Sequence, residues 1–145
     1  MPTIREVLSE KGSQVLSIRR DSTVLEAAAL MNEHRTGSVL VVTDDHIDGI
    51  FTERDVLSRV VGERRDPGAT RVEEVMTTEL TCCAPETPIE EARAAMRNRR
   101  IRHLPVIDQQ QRVHGIISIG DLNAYHLEGQ EQTIYFLREY LYGGR

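Results

Sequence analysis

The chain has no tryptophan, only two cysteines, and no apolar run near the roughly 20 residues that cross a bilayer. Without tryptophan, indole fluorescence is excluded as a reporter of binding. The cysteines, Cys82 and Cys83, are adjacent. That excludes a disulfide framework and fits a reducing compartment. The opening MPTIREVLSEKG is charged and lacks the apolar core of a signal peptide, so a cytoplasmic protein is expected. His34, His46, His114 and His126 show no metal-ligand spacing, and no His-Glu-x-x-His or paired Cys-x-x-Cys occurs. There is no Walker loop and no dinucleotide-fold glycine fingerprint. No motif marks a serine or cysteine as an activated nucleophile. Neither an enzyme nor a metal protein is therefore expected. A net charge of −5 does not suggest a nucleic-acid surface. At 145 residues, 39% hydrophobic and 28% charged, the chain is an ordinary soluble globular sequence. It has room for one compact domain or two small halves sharing a core.

What is present is a duplication. GIFTERD (Gly49–Asp55) and GIISIGD (Gly115–Asp121) each hold a glycine, an apolar run, a hydroxyl residue and an aspartate three positions later. At an offset of 65, Ser22 falls on Thr87, Val24 on Ile89, Glu26 on Glu91, Ala27 on Ala92 and Met31 on Met96. One extra residue in the turn DQQQRVHG moves the offset to 66 at the glycines. Upstream, TIREVLS matches RVEEVMT, with Ile4, Val7 and Leu8 on Val72, Val75 and Met76. The domains are therefore expected at 3–61 and 71–127. Between them 62–70, containing GERRDPGA, has the charge, proline and glycine of a surface linker.

Each half reads β-α-β-β-α. A short apolar segment (VLSI, LTCC) leads to a capped helix, then to two strand-like runs joined by a polar turn, then to a second helix. In the second half Thr87 is the expected N-cap, Pro88 the first helical residue, and Glu90 the acid that closes the capping box. In the first half Ser22 or Thr23 can cap, with Glu26 three residues after Thr23. Val24, Ala27, Leu30 and Met31 keep helical spacing and mark a buried face.

The order and motifs, with RHLPVID (Arg102–Asp108), resemble the cystathionine-β-synthase (CBS) domain, which usually occurs as a tandem pair called the Bateman module. The resemblance covers 3–127 and is better in the second half, since Leu40 stands where Pro105 does. It implies an α+β fold of two β-α-β-β-α repeats packed through their sheets around a pseudo-twofold axis. It also implies a non-enzymatic sensor of adenine nucleotides that signals in trans to an unknown effector protein. AMP-like ligands come first, then NAD(H); ADP, ATP and S-adenosylmethionine are also family ligands. A protein–protein adaptor with vestigial clefts is the alternative.

Two readings of the repeated device are compatible. Thr52 with Asp55, and Ser118 with Asp121, can be N-cap pairs that satisfy orphan amides. A helix start also attracts phosphate, and a carboxylate there can accept both hydroxyls of a ribose. In the family the acid takes the ribose and the hydroxyl lies near the phosphates. The adenine slots implied by the resemblance are Ser17–Ile18 with Gly37–Ser38–Val39 for the Asp55 site. For the Asp121 site they are Cys82–Cys83 with His103–Leu104–Pro105. The apolar members would also be apolar in any packed core. Between hydroxyl and acid, the first repeat carries Glu53 and Arg54 and the second Ile119 and Gly120. Arg54 could serve phosphates, while Gly120 leaves room for close backbone approach. RNRRIRH is either a solvated helix end or, through Arg102 or His103, a phosphate-facing group. The sites are expected to be unequal.

From 128 to 145 the chain reads as a C-terminal helix and tail. Ile134, Leu137 and Leu141 form an apolar stripe with Tyr135 and Tyr142 beside it. The stripe can cover its own domain or pack on a partner, and the resemblance implies a homodimer.

Overall fold

The computed structural model of the chain describes residues 2–12, 15–44 and 46–128. Their elements begin α1 (Ile4–Lys11), β1 (Ser17–Arg19), α2 (Val24–His34), β2 (Ser38–Thr43) and β3 (His46–Thr52). A short α3 (Glu53–Asp55) runs into a π-helical turn, Val56–Val61. Then come α4 (Val72–Val75), α5 (Ile89–Arg99), β4 (His103–Ile107), β5 (Val113–Ser118) and α6 (Ile119–Glu128). The fold is α+β as expected; the first repeat shows the β-α-β-β-α order, while the second lacks the strand expected at LTCC. The tail stripe of Ile134, Leu137 and Leu141 lies outside the described residues.

Two compact units form, and they are not cut between the sequence repeats. The first unit is Gln14–Thr81; the second joins Met1–Ser13 to the chain from Cys82 onward. Each unit thus takes the leading helix of the other repeat. The cause is apolar spacing. On α1, Ile4, Val7 and Leu8 lie one helical turn apart on one face, which must be covered. They are buried in a cluster with Ile89, Ala92, Met96, Leu104, Val106, Ile117 and Leu122. In the first unit Val72, Val75 and Met76 are buried with Val24, Ala27, Met31, Val39, Val41, Phe51 and Val60.

Backbone hydrogen bonds repeat the exchange rung for rung. Ile4 N–H donates to Thr87 O, Arg5 to Pro85 O and Ile89 to Pro2 O, at 2.9, 2.9 and 3.2 Å. In the first unit the equivalent donors Val72, Glu73 and Val24 reach Ser22 O, Arg20 O and Thr70 O, at 2.8, 3.1 and 2.9 Å.

The sheets are less alike. In the first unit β1 pairs parallel with β2, and β2 pairs antiparallel with β3. In the second unit β4 pairs antiparallel with β5, but LTCC contributes only one bridge, Cys83 to Val106. A proline explains the loss. In the first unit Leu40 N–H donates to Leu16 O at 3.0 Å. Pro105 stands at the position of Leu40 and has no N–H, so that rung cannot form.

A proline also displaces the expected cap of α5. The capping box of α2 joins Thr23 and Glu26, as expected. The equivalent of Thr23 is Pro88, which takes the cap position of α5 and leaves it without a side-chain cap. Thr87 Oγ1 instead accepts from Ala84 N at 2.9 Å, and Glu90 does not close a box. Both helices end alike, on Arg35 and Arg100 in the left-handed region at φ 52° and 55°.

The glycine that opens the first device is required by close approach. A Cβ on Gly49 would lie 2.6 Å from the backbone oxygen of Thr77, and Thr77 is tied to Ile50 by two backbone hydrogen bonds of 2.9 Å. Gly49→Ala should therefore cost about 2 kcal/mol or more of stability. A urea midpoint equal to that of the parent would contradict this packing.

Candidate functional site

Both devices form as helix starts, and in both the carboxylate reaches back to the hydroxyl residue. In the first unit Asp55 Oδ2 accepts from Thr52 N at 3.0 Å, and Asp55 N donates to Thr52 Oγ1 at 3.3 Å. In the second unit Asp121 Oδ2 accepts from Ser118 N at 2.8 Å, and Asp121 N donates to Ser118 Oγ at 3.0 Å. The cap reading is therefore present twice.

Beyond the cap the two acids diverge. Asp55 is buried, its side chain 8% exposed, and both oxygens are engaged. Thr52 Oγ1 donates to Oδ2 at 3.2 Å, and Thr77 Oγ1 donates to Oδ1 at 3.1 Å. Arg59 Nε lies 3.6 Å from Oδ1, and its Nη1 donates to Met76 O at 3.1 Å. Arg59 stands on the π-helical turn, whose backbone bonds span one residue more than those of an α-helix. The carboxylate is enclosed by donors of its own unit.

Asp121 is more open, its side chain 23% exposed. Among the described residues its side-chain oxygens have two partners, Ser118 N and the Lys11 Nζ at 2.6 Å, and both reach Oδ2. Among the described residues nothing donates to Oδ1, and Ser118 Oγ accepts without donating. An acceptor oxygen and a hydroxyl donor thus remain at the start of α6. That pair can engage a polyol and an anion together.

The sequence-expected slot residues gather around these starts in part. In the first unit Ser38 is buried opposite Thr52, and Glu53 N donates to Gly37 O at 3.0 Å. The Glu53 carboxylate folds over Gly37, where a Cβ would meet it at 3.0 Å. Ile18 packs against the core, Val39 is fully buried in it, and Ser17 and Arg54 are exposed. In the second unit His103 pairs with Ser118 and is half-buried. Ile119 N donates to Arg102 O at 2.9 Å, the counterpart of the Glu53–Gly37 bond. The second unit thus has an exposed arginine and Ile119 where the first has a glycine under a glutamate. Leu104 is fully buried, and Cys83 N donates to Pro105 O at 3.0 Å. At Gly120 a Cβ would meet Ser118 Oγ at 3.5 Å, an ordinary contact, so among the described residues there is room beside the start of α6.

Cys82 is exposed and Cys83 half-buried. Burial, reinforced by the neighbouring Cys82, pushes the Cys83 thiol up to about 12. Desolvation raises Cys82 as well. Neither is poised as a thiolate nucleophile at neutral pH. Among the described residues no group of histidines, cysteines and acids could hold a metal ion, and no helix is long and apolar enough to cross a membrane.

Sequence reasoning missed Lys11, Thr77 and Arg59, the groups that make the acids different. Thr77 and Lys11 follow the paired segments TIREVLS and RVEEVMT closely or close them. Their contacts depend on the exchange of those segments, which repeat spacing does not reveal.

The CBS domain family matches this chain twice, over residues 4–62 and 72–128. The CBS domain-containing protein YhcV of Bacillus subtilis is 37% identical over 122 residues, 84% of each chain. A putative signal-transduction protein with CBS domains from Burkholderia ambifaria superposes with a TM-score of 0.85 at 38% identity, covering 89% of this chain and 96% of that one. CBS domain protein PAE2072 from Pyrobaculum aerophilum, solved in complex with AMP, superposes with a TM-score of 0.74 over 83% of this chain and 89% of its own. At 23% identity that likeness shows the fold alone.

The two acids should respond differently to loss of charge. Asp55→Asn turns an amide toward enclosed donors and should cost about 2–3 kcal/mol. Asp121→Asn keeps a partial cap in a more open place and should cost about 1 kcal/mol or less. Equal shifts in chemical denaturation would contradict the structural difference between them.

Proposed function

The chain belongs to the CBS domain family, and on that premise we propose that it is an adenine-nucleotide-binding regulatory module with one working site, at Asp121. The observation that carries this reading is that, among the described residues, Oδ1 of Asp121 has no donor and the neighbouring Ser118 hydroxyl has no acceptor, at the start of α6. In the reading, Asp121 accepts the ribose hydroxyls. Ser118 and the α6 N-terminus face the phosphate, with Arg102 and His103 brought beside them by the pairing of β4 with β5. The approach over Gly120 admits the ligand, and Cys82, Cys83 and Pro105 border the adenine. An AMP-like ligand is favoured, since AMP occupies the Pyrobaculum aerophilum protein that has this fold and Arg102, whose carbonyl accepts from Ile119 N, is an exposed cation beside this site. NAD(H), ADP, ATP and S-adenosylmethionine are the other adenosine ligands to compare.

In this reading the chain acts as a non-catalytic, cytoplasmic homodimer that passes a ligand-dependent change to a partner protein in trans. A monomer in light scattering would remove the dimer from it. For the first unit the adaptor reading has an observation of its own. Asp55 is enclosed, while Leu25, Leu57 and Val61 expose 57%, 66% and 61% of their surface. These side chains offer apolar contact without any nucleotide.

Calorimetric titration separates the readings. If Asp121 holds ribose, Asp121→Asn loses charge-assisted hydrogen bonds, and AMP affinity should fall roughly ten- to a hundredfold. Asp55→Asn, provided it folds, should leave that affinity within about twofold, because its carboxylate already serves its own unit. In a thermal melt, AMP at a hundred times its dissociation constant should add about 2.7 kcal/mol to the parent. No shift with any of the adenosine ligands would leave the adaptor reading standing.

A further inference from the structure

Lys11 is the last residue of α1, and its ammonium is held by two groups of the Asp121 site. Nζ lies 2.6 Å from Asp121 Oδ2 and 2.5 Å from the carbonyl oxygen of Ile116. The equivalent carbonyl in the first unit belongs to Ile50 and accepts from the backbone N–H of Thr77 at 2.9 Å. A backbone bridge closes one site; a side chain closes the other. The bridge is fixed by the fold. Lys11 is 35% exposed and sits on a four-carbon stem, so it can leave without any change of backbone. At the position of Lys11 the other leading segment carries Glu79, so the first unit has no counterpart cation there.

We propose that Lys11 is an exchangeable counter-ion that makes the Asp121 site selective for adenosine compounds bearing a phosphate. This rests on the reading of Asp121 as the ribose-holding group. In the empty site the ammonium neutralises the carboxylate. A ribose that uses both carboxylate oxygens, one hydroxyl on Oδ1 and one on Oδ2, must displace the ammonium from Oδ2, which exchanges an ion pair for neutral hydrogen bonds. An uncharged nucleoside offers the released ammonium nothing in return. A nucleotide offers its phosphate, a dianion well matched to a mobile ammonium. A cationic adenosine ligand adds a positive charge beside the one just released. The lysine therefore penalises neutral and cationic ligands and favours anionic ones. It is a specificity-determining residue that sequence spacing places on a different helix from the motif it serves.

The test is calorimetric titration of AMP and of adenosine into the parent chain, Lys11→Met and Lys11→Arg. The parent should prefer AMP by roughly tenfold or more. Lys11→Met should bind AMP more weakly and adenosine at least as well, so that the preference collapses to within about threefold. Lys11→Arg should keep it. If the methionine variant does not fold, Lys11→Gln retains a polar tip for the Ile116 carbonyl and should show the same collapse. A preference unchanged in the uncharged variants overturns the role of Lys11 alone and leaves nucleotide binding intact. A parent that binds neither compound overturns both readings.

Discussion

The exchange of leading helices is the constraint on which the rest depends. α1 and the segment around α4 each bury an apolar face that their own repeat does not cover. Each is pinned by the same three backbone hydrogen bonds in the unit that receives it. Those segments also carry the polar groups that meet the acids. α1 brings Lys11 to Asp121, and the chain after α4 brings Thr77 to Asp55. Each acid thus takes one of its partners from the other repeat, delivered by hydrophobic packing.

From this follows the inequality of two sites built on one motif. A carboxylate removed from water needs donors, and the first unit supplies them from a threonine backbone, two hydroxyls and Arg59. The same burial that satisfies Asp55 leaves it little acceptor capacity for a ligand. Asp121 is more exposed and needs less, and it retains one oxygen without a protein donor among the described residues. Gly37 under Glu53 places a carboxylate at the first device, whereas Lys11 and the exposed Arg102 place cations at the second. An anionic ligand is favoured by the second set and opposed by the first.

Much of this was legible in the sequence, for reasons that are local. The alternation of elements shows in periodicity, and the Thr52–Asp55 and Ser118–Asp121 caps follow from offsets of three residues. The spacing of Ile4, Val7 and Leu8 announces a buried face but not its partner, because a hydrophobic stripe carries no address. The two prolines act in another way. Pro105 marks the family resemblance and, by lacking an N–H, reduces the LTCC strand to a single bridge. Pro88 occupies the cap position that Thr87 was expected to hold. The openness of Asp121 and the enclosure of Asp55 were out of reach, since both depend on contacts across distant stretches of chain.

The central claim is that duplication of the motif has left one working nucleotide site. The most direct measurement is the number of AMP molecules bound per chain at saturation, by calorimetry on protein stripped of nucleotide and checked by mass spectrometry. The account expects one per chain, lost in Asp121→Asn. Two per chain, or one that survives Asp121→Asn and disappears in a folded Asp55→Asn, would contradict it.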